Sequence, residues 1–383
     1  MSDGNSHFSR RSVLKKSTGA LAVVGVSGLA SADPDDFVEV NVGFAGDSGH
    51  QAAHNAADSV EREFAFDAMT IRIPARAAKA LENRPDVRYV EVNGEWEAFS
   101  QTTPWGIDRV DADVAHANGE TGAGADIAII DTGIDSDHPD LQANLGEGKA
   151  FVKCRGNPRM CRQPWDDDND HGTHCAGIAD ALNNDEGVVG VSTEATLHAA
   201  KVLDKNGSGS YSDIAAAIEW TADQGYDVGS MSLGGSASST VRDACQYATD
   251  RGVLLVAAAG NDGPCTDCVG YPAGYDTVVA VSATSEDDSL ANFSSTGAEV
   301  ELAAPGEDVY SSIPGGYDTF SGTSMACPHV AGAGGQLMAN GYTNDEARQR
   351  LRDTAEDIGL GDNEQGAGLL DVAAALGLDS SDD

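Results

Sequence analysis

Five short, nearly unbroken apolar segments constrain this chain more than any other feature: Ala125–Asp131, Leu197–Val202, Val228–Leu233, Val253–Ala258 and Val278–Ala283. Each is strand-length, and the lack of polar alternation predicts strands covered on both faces, as in a parallel sheet. Helical spacing at Ser212–Gln224 and Thr240–Arg251 falls between them. The expected body is therefore an α/β fold in three layers over residues 100–376, with a mostly parallel central sheet. The first segment ends in Asp131, and open sheets of this kind place their sites at the C-terminal ends of strands. A short acidic tail, 377–383, follows, and there is no internal repeat.

Charge is the anomaly. Sixty-two acids face 23 bases, a formal net charge of −39. Self-repulsion on that scale destabilises a compact protein in dilute buffer. It becomes tolerable where the Debye length shrinks to roughly 3 Å, at molar salt. The acids are spread along the whole chain, so the expectation is a halophile's surface and not a disordered acidic arm. Nucleic acid is excluded as a partner, since its phosphates would be repelled.

Residues 1–32 read as an export leader. Ser9-Arg10-Arg11-Ser12-Val13-Leu14-Lys15 is a twin-arginine pattern, a mild apolar run follows from Leu21 to Val26, and Ala30-Ser31-Ala32 offers a cleavage site. The run is too short to make a stable membrane span. Residues 33–99 form a second unit. Strands are expected at Phe37–Val42, Ala68–Ile73 and Val87–Val92, and helices at Gln51–Glu63 and Pro74–Glu82. One further strand is expected near Phe64, making a small α+β sandwich.

Of the seven cysteines, Cys154/Cys161 and Cys265/Cys268 are close enough in sequence to pair as disulfides in an exported protein. Cys175 and Cys327 lie in apolar, helix-like surroundings and read as buried free thiols. A single CxxC with no second pair gives no zinc site. Trp165-Asp166-Asp167-Asp168 reads as a solvated acidic face.

Three segments carry chemistry. Ile130-Asp131-Thr132-Gly133 puts an acid at a strand end. Asp170-His171-Gly172-Thr173-His174 puts His171 at the start of a small-residue helix. Gly322-Thr323-Ser324 leads into a second such helix, where Ser324 reads alone either as an N-cap or as a nucleophile. Together they supply a hydroxyl, a base and a carboxylate to orient the base. The order Asp…His…Ser excludes the α/β-hydrolases, whose serine comes first.

In these motifs and their order the body resembles the subtilisin-type serine proteases over roughly residues 100–376. Its acidity makes it most similar to the haloarchaeal halolysins. The resemblance implies a catalytic triad of Asp131, His171 and Ser324, with Asn261 of Ala259-Gly260-Asn261 as an oxyanion donor. It implies substrate-binding edges at Gly207-Ser208-Gly209 and Ser232-Leu233-Gly234. An apolar pocket for the residue before the cut would be formed by Gly234, Ala258, Gly260 and Gly270, and a second would be lined by Tyr211 and Ile214. A structural Ca²⁺ would be held by Gln101, Asp140 and Asn184 with the carbonyls of Leu182, Glu186 and Val188. A weaker cation site would lie around Ala273, Tyr275, Val278 and Glu301. Residues 33–99 would be a ferredoxin-like propeptide, chaperone and inhibitor in one. The Gln101 ligand then places maturation near Phe99–Ser100, with Phe99 and Trp96 filling the two pockets.

The implied protein is a secreted, monomeric, self-maturing endopeptidase of broad specificity, preferring large apolar residues, with no organic cofactor. The alternatives are a restricted processing protease and a silent binding protein on the same body. His174, Asp135 and His329 are expected to be structural. Halolysins carry a C-terminal extension that this sequence does not show, so nothing assigned to that extension transfers.

Overall fold

A computed structural model describes residues 36–93, 101–155 and 161–379. The chain divides into two compact units, residues 1–98 and 99–383.

The first unit runs β1 (Phe37–Phe44), α1 (Asp47–Ala56), β2 (Ser59–Phe64), β3 (Ala68–Pro74), α2 (Ala75–Glu82), β4 (Val87–Val92). Its antiparallel sheet has the order β2-β3-β1-β4, the split βαβ arrangement of ferredoxin-like units. Val40, Val42, Met69, Ile71 and Ile73 form its core with Ala53, Ala78 and Leu81 of the helices. The helix expected over Gln51–Glu63 stops at Ala56, and the chain turns extended at Ala57 to form β2. β2 is an edge strand whose central side chains all face solvent. It therefore carries no apolar alternation to mark it, and its pairing with β3 defines it.

The second unit begins with α3 (Trp105–Arg109) and α4 (Ala112–Ala117), then β5 (Asp126–Asp131), β6 (Lys149–Ala150), α5 (His171–Asp180) and β7 (Thr196–Lys201). There follow α6 (Tyr211–Gln224), β8 (Val228–Met231), α7 (Ser239–Thr249), β9 (Leu254–Ala258), β10 (Val278–Thr284) and β11 (Val300–Pro305). The hairpin β12 (Val309–Ile313) and β13 (Gly316–Phe320), then α8 (Thr323–Ala339), α9 (Asn344–Asp353), α10 (Asp362–Gln365) and α11 (Val372–Leu376), complete it. The central sheet has the order β11-β10-β9-β8-β5-β7-β6, and its paired strands are parallel. One apolar cluster joins the sheet to α5 and α8 on one face, and a second joins it to α6 and α7 on the other. This is the three-layer α/β body. From β5 the chain moves outward to β7 on one side and returns to β8 on the other, so Asp131 ends the strand where the winding reverses.

Helix α8 is buried almost throughout from Met325 to Leu337. At Gly332 an added Cβ would lie 2.6 Å from the Ala179 carbonyl, so only glycine lets α8 close on α5. Pro328 sits inside this helix and has no N–H to give the Ser324 carbonyl four residues back. That carbonyl instead accepts the Ser232 hydroxyl at 2.7 Å and the Cys175 thiol at 3.4 Å. The missing helical bond is thereby turned into ties from β8's extension and from α5 to the residue expected to react.

Candidate active site

The three chemical segments meet at the C-terminal edge of the sheet. His171 is the first residue of α5, and its Nδ1 lies 2.8 Å from Asp131 Oδ1. Asp131 is fully buried; Oδ1 also accepts the Thr132 N–H at 2.6 Å, while Oδ2 has no partner among the described residues. Burial opposes charging of the imidazole, but the Asp131 carboxylate beside it outweighs this and raises the His171 pKa well above the ordinary value.

Ser324 is the second residue of α8, and the cap position belongs to Gly322, so the N-cap reading of this serine is set aside. Its hydroxyl donates to the Ser232 carbonyl at 3.3 Å and makes no hydrogen bond to His171 among the described residues. Such contacts are commonly long without substrate and tighten when it binds. Asn261 Oδ1 accepts the Thr323 N–H at 2.9 Å and the Thr323 hydroxyl at 3.0 Å. With the amide oxygen fixed in this way, its NH₂ group is left on the Gly322 side, beside the start of α8.

A cleft of about 480 Å³ runs past His171. Of the expected substrate residues, Gly207, Ser208, Gly209, Tyr211, Ile214, Ser232, Leu233 and Gly234 line it. Ala258, Gly260 and Gly270 do not; Gly270 directly precedes the lining residue Tyr271, and its N–H donates to the Ala259 carbonyl at 2.8 Å. Sequence reasoning missed Leu203, Val241, Tyr271 and Pro272, and it placed Tyr275 only at a cation site. Tyr271 and Gly235 exchange backbone hydrogen bonds at 2.8 and 3.1 Å and close one wall. The Tyr275 hydroxyl accepts the Ser238 N–H and donates to the Ser238 carbonyl, both at 2.8 Å, holding the segment ahead of α7. The aromatic pair after Gly270 was the available signal.

The residues expected to hold calcium lie in one hydrogen-bonded cluster. Gln101 Nε2 lies 2.6 Å from the Leu182 carbonyl and 3.0 Å from that of Val188, and Gln101 Oε1 accepts the Asn184 N–H at 3.1 Å. Asp140 Oδ2 accepts the Val188 N–H at 2.9 Å, whereas its buried Oδ1 has no partner among the described residues. Burial and a hydrogen bond to Asp140 push the Tyr317 hydroxyl pKa up, so this phenol stays a neutral donor to the carboxylate. Glu186 donates its N–H to Asn184 Oδ1 at 2.8 Å and so belongs to the same loop. The free donor of this set is the buried Asp140 Oδ1; turning the Gln101 amide to present its oxygen would release the Leu182 and Val188 carbonyls, and that all-oxygen set would suit a hard divalent cation such as Ca²⁺.

Two expectations are corrected. The weaker cation site is already filled by a side chain. The Arg348 guanidinium forks onto Glu301, bonding through Nε at 3.0 Å and through Nη2, while Nη1 donates to the Asp276 carbonyl at 2.9 Å. The same guanidinium reaches the Val278 carbonyl through Nη2 at 3.5 Å, so it occupies the acid and one carbonyl of the expected set.

Nor is the acidic run at 165–168 a solvated face. Asp166 and Asp167 are buried, and Asp168 pairs at 2.6 Å with Lys201, which is fully buried. These acids are inside because each faces donors supplied by other segments.

The remaining polar residues are structural. His174 Nε2 lies between the Val309 and Asp318 carbonyls at 3.1 and 3.2 Å, and burial lowers its pKa to about 4. His329 Nδ1 meets the Met325 carbonyl at 2.8 Å, and burial lowers its pKa to about 4 as well. Asp135 accepts the Gly315 N–H at 3.3 Å. Cys154–Cys161 and Cys265–Cys268 are disulfides, and Cys175, Cys245 and Cys327 are buried free thiols.

A parallel sheet with a buried Asp–His pair and a helix-borne serine at one edge defines a class of hydrolase, and comparison with known proteins agrees. Residues 122–368 match the subtilase family of S8 peptidases, and the chain belongs to that family. Family membership makes it a serine-type endopeptidase. It is 38% identical to subtilisin E of Bacillus subtilis over 381 residues, which cover 97% of this chain and 94% of that protein. It is 43% identical to an alkaline protease of Shouchella clausii over 311 residues, covering 80% and 78%. Against a subtilisin of Bacillus pumilus it is 43% identical over 282 residues, covering 72% and 99%.

Proposed function

We propose that the chain is a secreted, self-maturing endopeptidase adapted to high salt, with an acid-rich composition resembling that of the halolysins. It would cut proteins broadly, favouring large apolar residues before the scissile bond. The observation that carries this is the 2.8 Å Asp131–His171 bond at the sheet edge, with Ser324 and Asn261 on converging segments.

In the mechanism, Ser324 Oγ leaves the Ser232 carbonyl, gives its proton to His171 Nε2 and attacks the substrate carbonyl. Asp131 stays ionised, fixes the imidazole through Nδ1–H and stabilises the imidazolium. The oxyanion is received by the Ser324 N–H at the start of α8 and by the Asn261 amide, whose oxygen is already tethered to Thr323. His171 then protonates the leaving amine, and water attacks the acyl-enzyme by the reverse path. The substrate lies extended between Gly207–Gly209 and Ser232–Gly234, pairing by its main chain. Side chains enter the apolar cleft beside Tyr211 and Ile214 and the pocket around Gly270.

Gln101, Asp140, Asn184 and the carbonyls of Leu182, Glu186 and Val188 would hold Ca²⁺, which would rigidify the loop after α5. Residues 33–99 would act as propeptide after export through the leader 1–32. The leader, Trp96 and the cut near Phe99–Ser100 lie outside the described residues. In molar salt, Ser324→Ala should leave the chain uncleaved near Phe99–Ser100 and inactive on casein. Autonomous maturation and casein cleavage by that variant would refute the mechanism. A peptide-library digest separates broad degradation from restricted processing.

A further inference from the structure

We propose that Asp167 is a positioning residue for the reaction, holding the segments that carry Asp131 and His171 in register with each other. Asp167 is buried at 1% exposure. One oxygen, Oδ1, accepts the Thr132 hydroxyl at 2.8 Å and the Asn169 N–H at 2.9 Å. The other, Oδ2, accepts the Thr173 N–H at 2.9 Å and the Thr173 hydroxyl at 2.7 Å. Thr132 directly follows Asp131 at the end of β5, and Thr173 lies two residues after His171 in the first turn of α5. A single carboxylate therefore grips both sides of the Asp131–His171 bond.

The direction of these bonds makes the clasp specific. The Thr132 hydroxyl accepts the Gly172 N–H at 2.8 Å, so its proton goes to Asp167. All four groups facing the carboxylate are then donors, and an ionised acid, with acceptor sites only, is the side chain that satisfies them all. An amide of the same shape would turn an NH₂ toward a backbone N–H on either side, and the segments must part to relieve it. Because the Thr132 hydroxyl also receives Gly172, the clasp links β5 to α5 directly as well as through Asp167. Thr132 and Asn169 line the cleft but Asp167 and Thr173 do not, so the effect of Asp167 itself runs through geometry. Displacing reacting groups by about 1 Å can cost on the order of 10²-fold in rate.

The inference rests on the proposed mechanism, and the experiment separates the two. Asp167→Asn, Thr132→Val and Thr132→Ser are prepared as full-length chains matured in trans by the parent enzyme. Parent activity is removed, and competent sites are counted with a fluorophosphonate probe. Per labelled site, Asp167→Asn should lose about 10–100-fold in kcat with KM within about threefold. The apparent pKa governing kcat/KM should fall toward the ordinary histidine value of about 6.5 as the Asp131 contact loosens. Thr132→Val should do the same to a smaller degree, and Thr132→Ser should recover most of that loss. In the double variant Asp167→Asn/Thr132→Val the two losses should not multiply.

An unchanged kcat and pH profile per labelled site in Asp167→Asn would overturn the inference. If that variant yields no folded protein, an unchanged Thr132→Val would overturn it equally. If the parent labels at Ser324 but hydrolyses no peptide, the proposed function falls instead.

Discussion

Removing the ammonium of Lys201 tests whether the acidic run at 165–168 belongs to the interior. Lys201 is fully buried on β7, and its three protons go to the Thr132 carbonyl, to Asp168 Oδ1 at 2.6 Å and to the Leu203 carbonyl at 3.1 Å. Among the described residues Asp168 has one other donor, the Arg155 N–H on Oδ2 at 2.7 Å. Lys201→Met keeps the volume but leaves Asp168 charged, buried and short of a counter-ion. Breaking a buried pair from one side costs about 3–5 kcal/mol, because the remaining charge is uncompensated. Unfolding entropy is about 0.6 kcal/mol/K for roughly 280 residues, so Tm should fall by about 5–8 °C. The assay is thermal unfolding in the Ser324→Ala background, which prevents autolysis. A buried pair is screened little by salt, so the loss should persist between 1 and 4 M NaCl. Adding Asp168→Leu should restore most of it, since an apolar replacement of both partners is often neutral. A Tm change below about 2 °C in Lys201→Met, or a loss that vanishes with salt, would refute the placement of these acids.

Two further outcomes follow from the site. His171 must be neutral to take the Ser324 proton, and its pKa is raised by Asp131, so kcat/KM should climb through an apparent pKa above about 6.5 and level off in alkaline solution. The linked stability has the opposite sense. A raised folded pKa gives stabilisation that is fully present below about 6.5 and lost as pH rises through the folded value. Denaturant titrations of Ser324→Ala across this range should therefore show stability falling where the parent's activity rises. Chelation should lower Tm if the Asp140 loop holds Ca²⁺; at free Ca²⁺ a hundredfold over Kd the loss is about 2.7 kcal/mol. Asp140→Asn should abolish the Ca²⁺ dependence of Tm, and a calcium-dependent Tm in that variant would rule this site out.

Strands β5, β7, β8, β9 and β10 were legible because burial on both faces leaves mostly apolar residues, and Asp131 stood out as the polar end of such a run, whereas the sheet-edge strands β6 and β11 and the hairpin β12–β13 were not read. Helices α6 and α7 were legible from their spacing. The edge strand β2 was legible only as a strand near Phe64 and not in its extent from Ser59, because its side chains meet water and its pairing with β3 sets its bounds. Asp166-Asp167-Asp168 looked like surface for a related reason. A charged run reveals its environment only through partners, and here those are Thr132, Thr173 and Lys201 on separate segments. Glu301 looked like a cation ligand until Arg348, 47 residues away in sequence, was seen against it. What the chain order conceals in each case is the identity of the facing group.

That distinction bears on how one chain can be both strongly acidic and well organised around a reactive centre. The net charge of −39 must be tolerated somewhere, and self-repulsion among exposed acids weakens as salt shortens the Debye length. The carboxylates at the centre behave differently. Asp131 is bound to His171 and Thr132, Asp167 to four donors, and Asp168 to Lys201 and Arg155, with the three carboxylates themselves buried and so screened little by salt. Lowering the salt should therefore unfold the protein from its surface inward, without first disturbing the Asp131–His171 geometry. Molecules that remain folded at intermediate salt should retain full kcat per labelled Ser324, and activity should decline in step with the folded fraction.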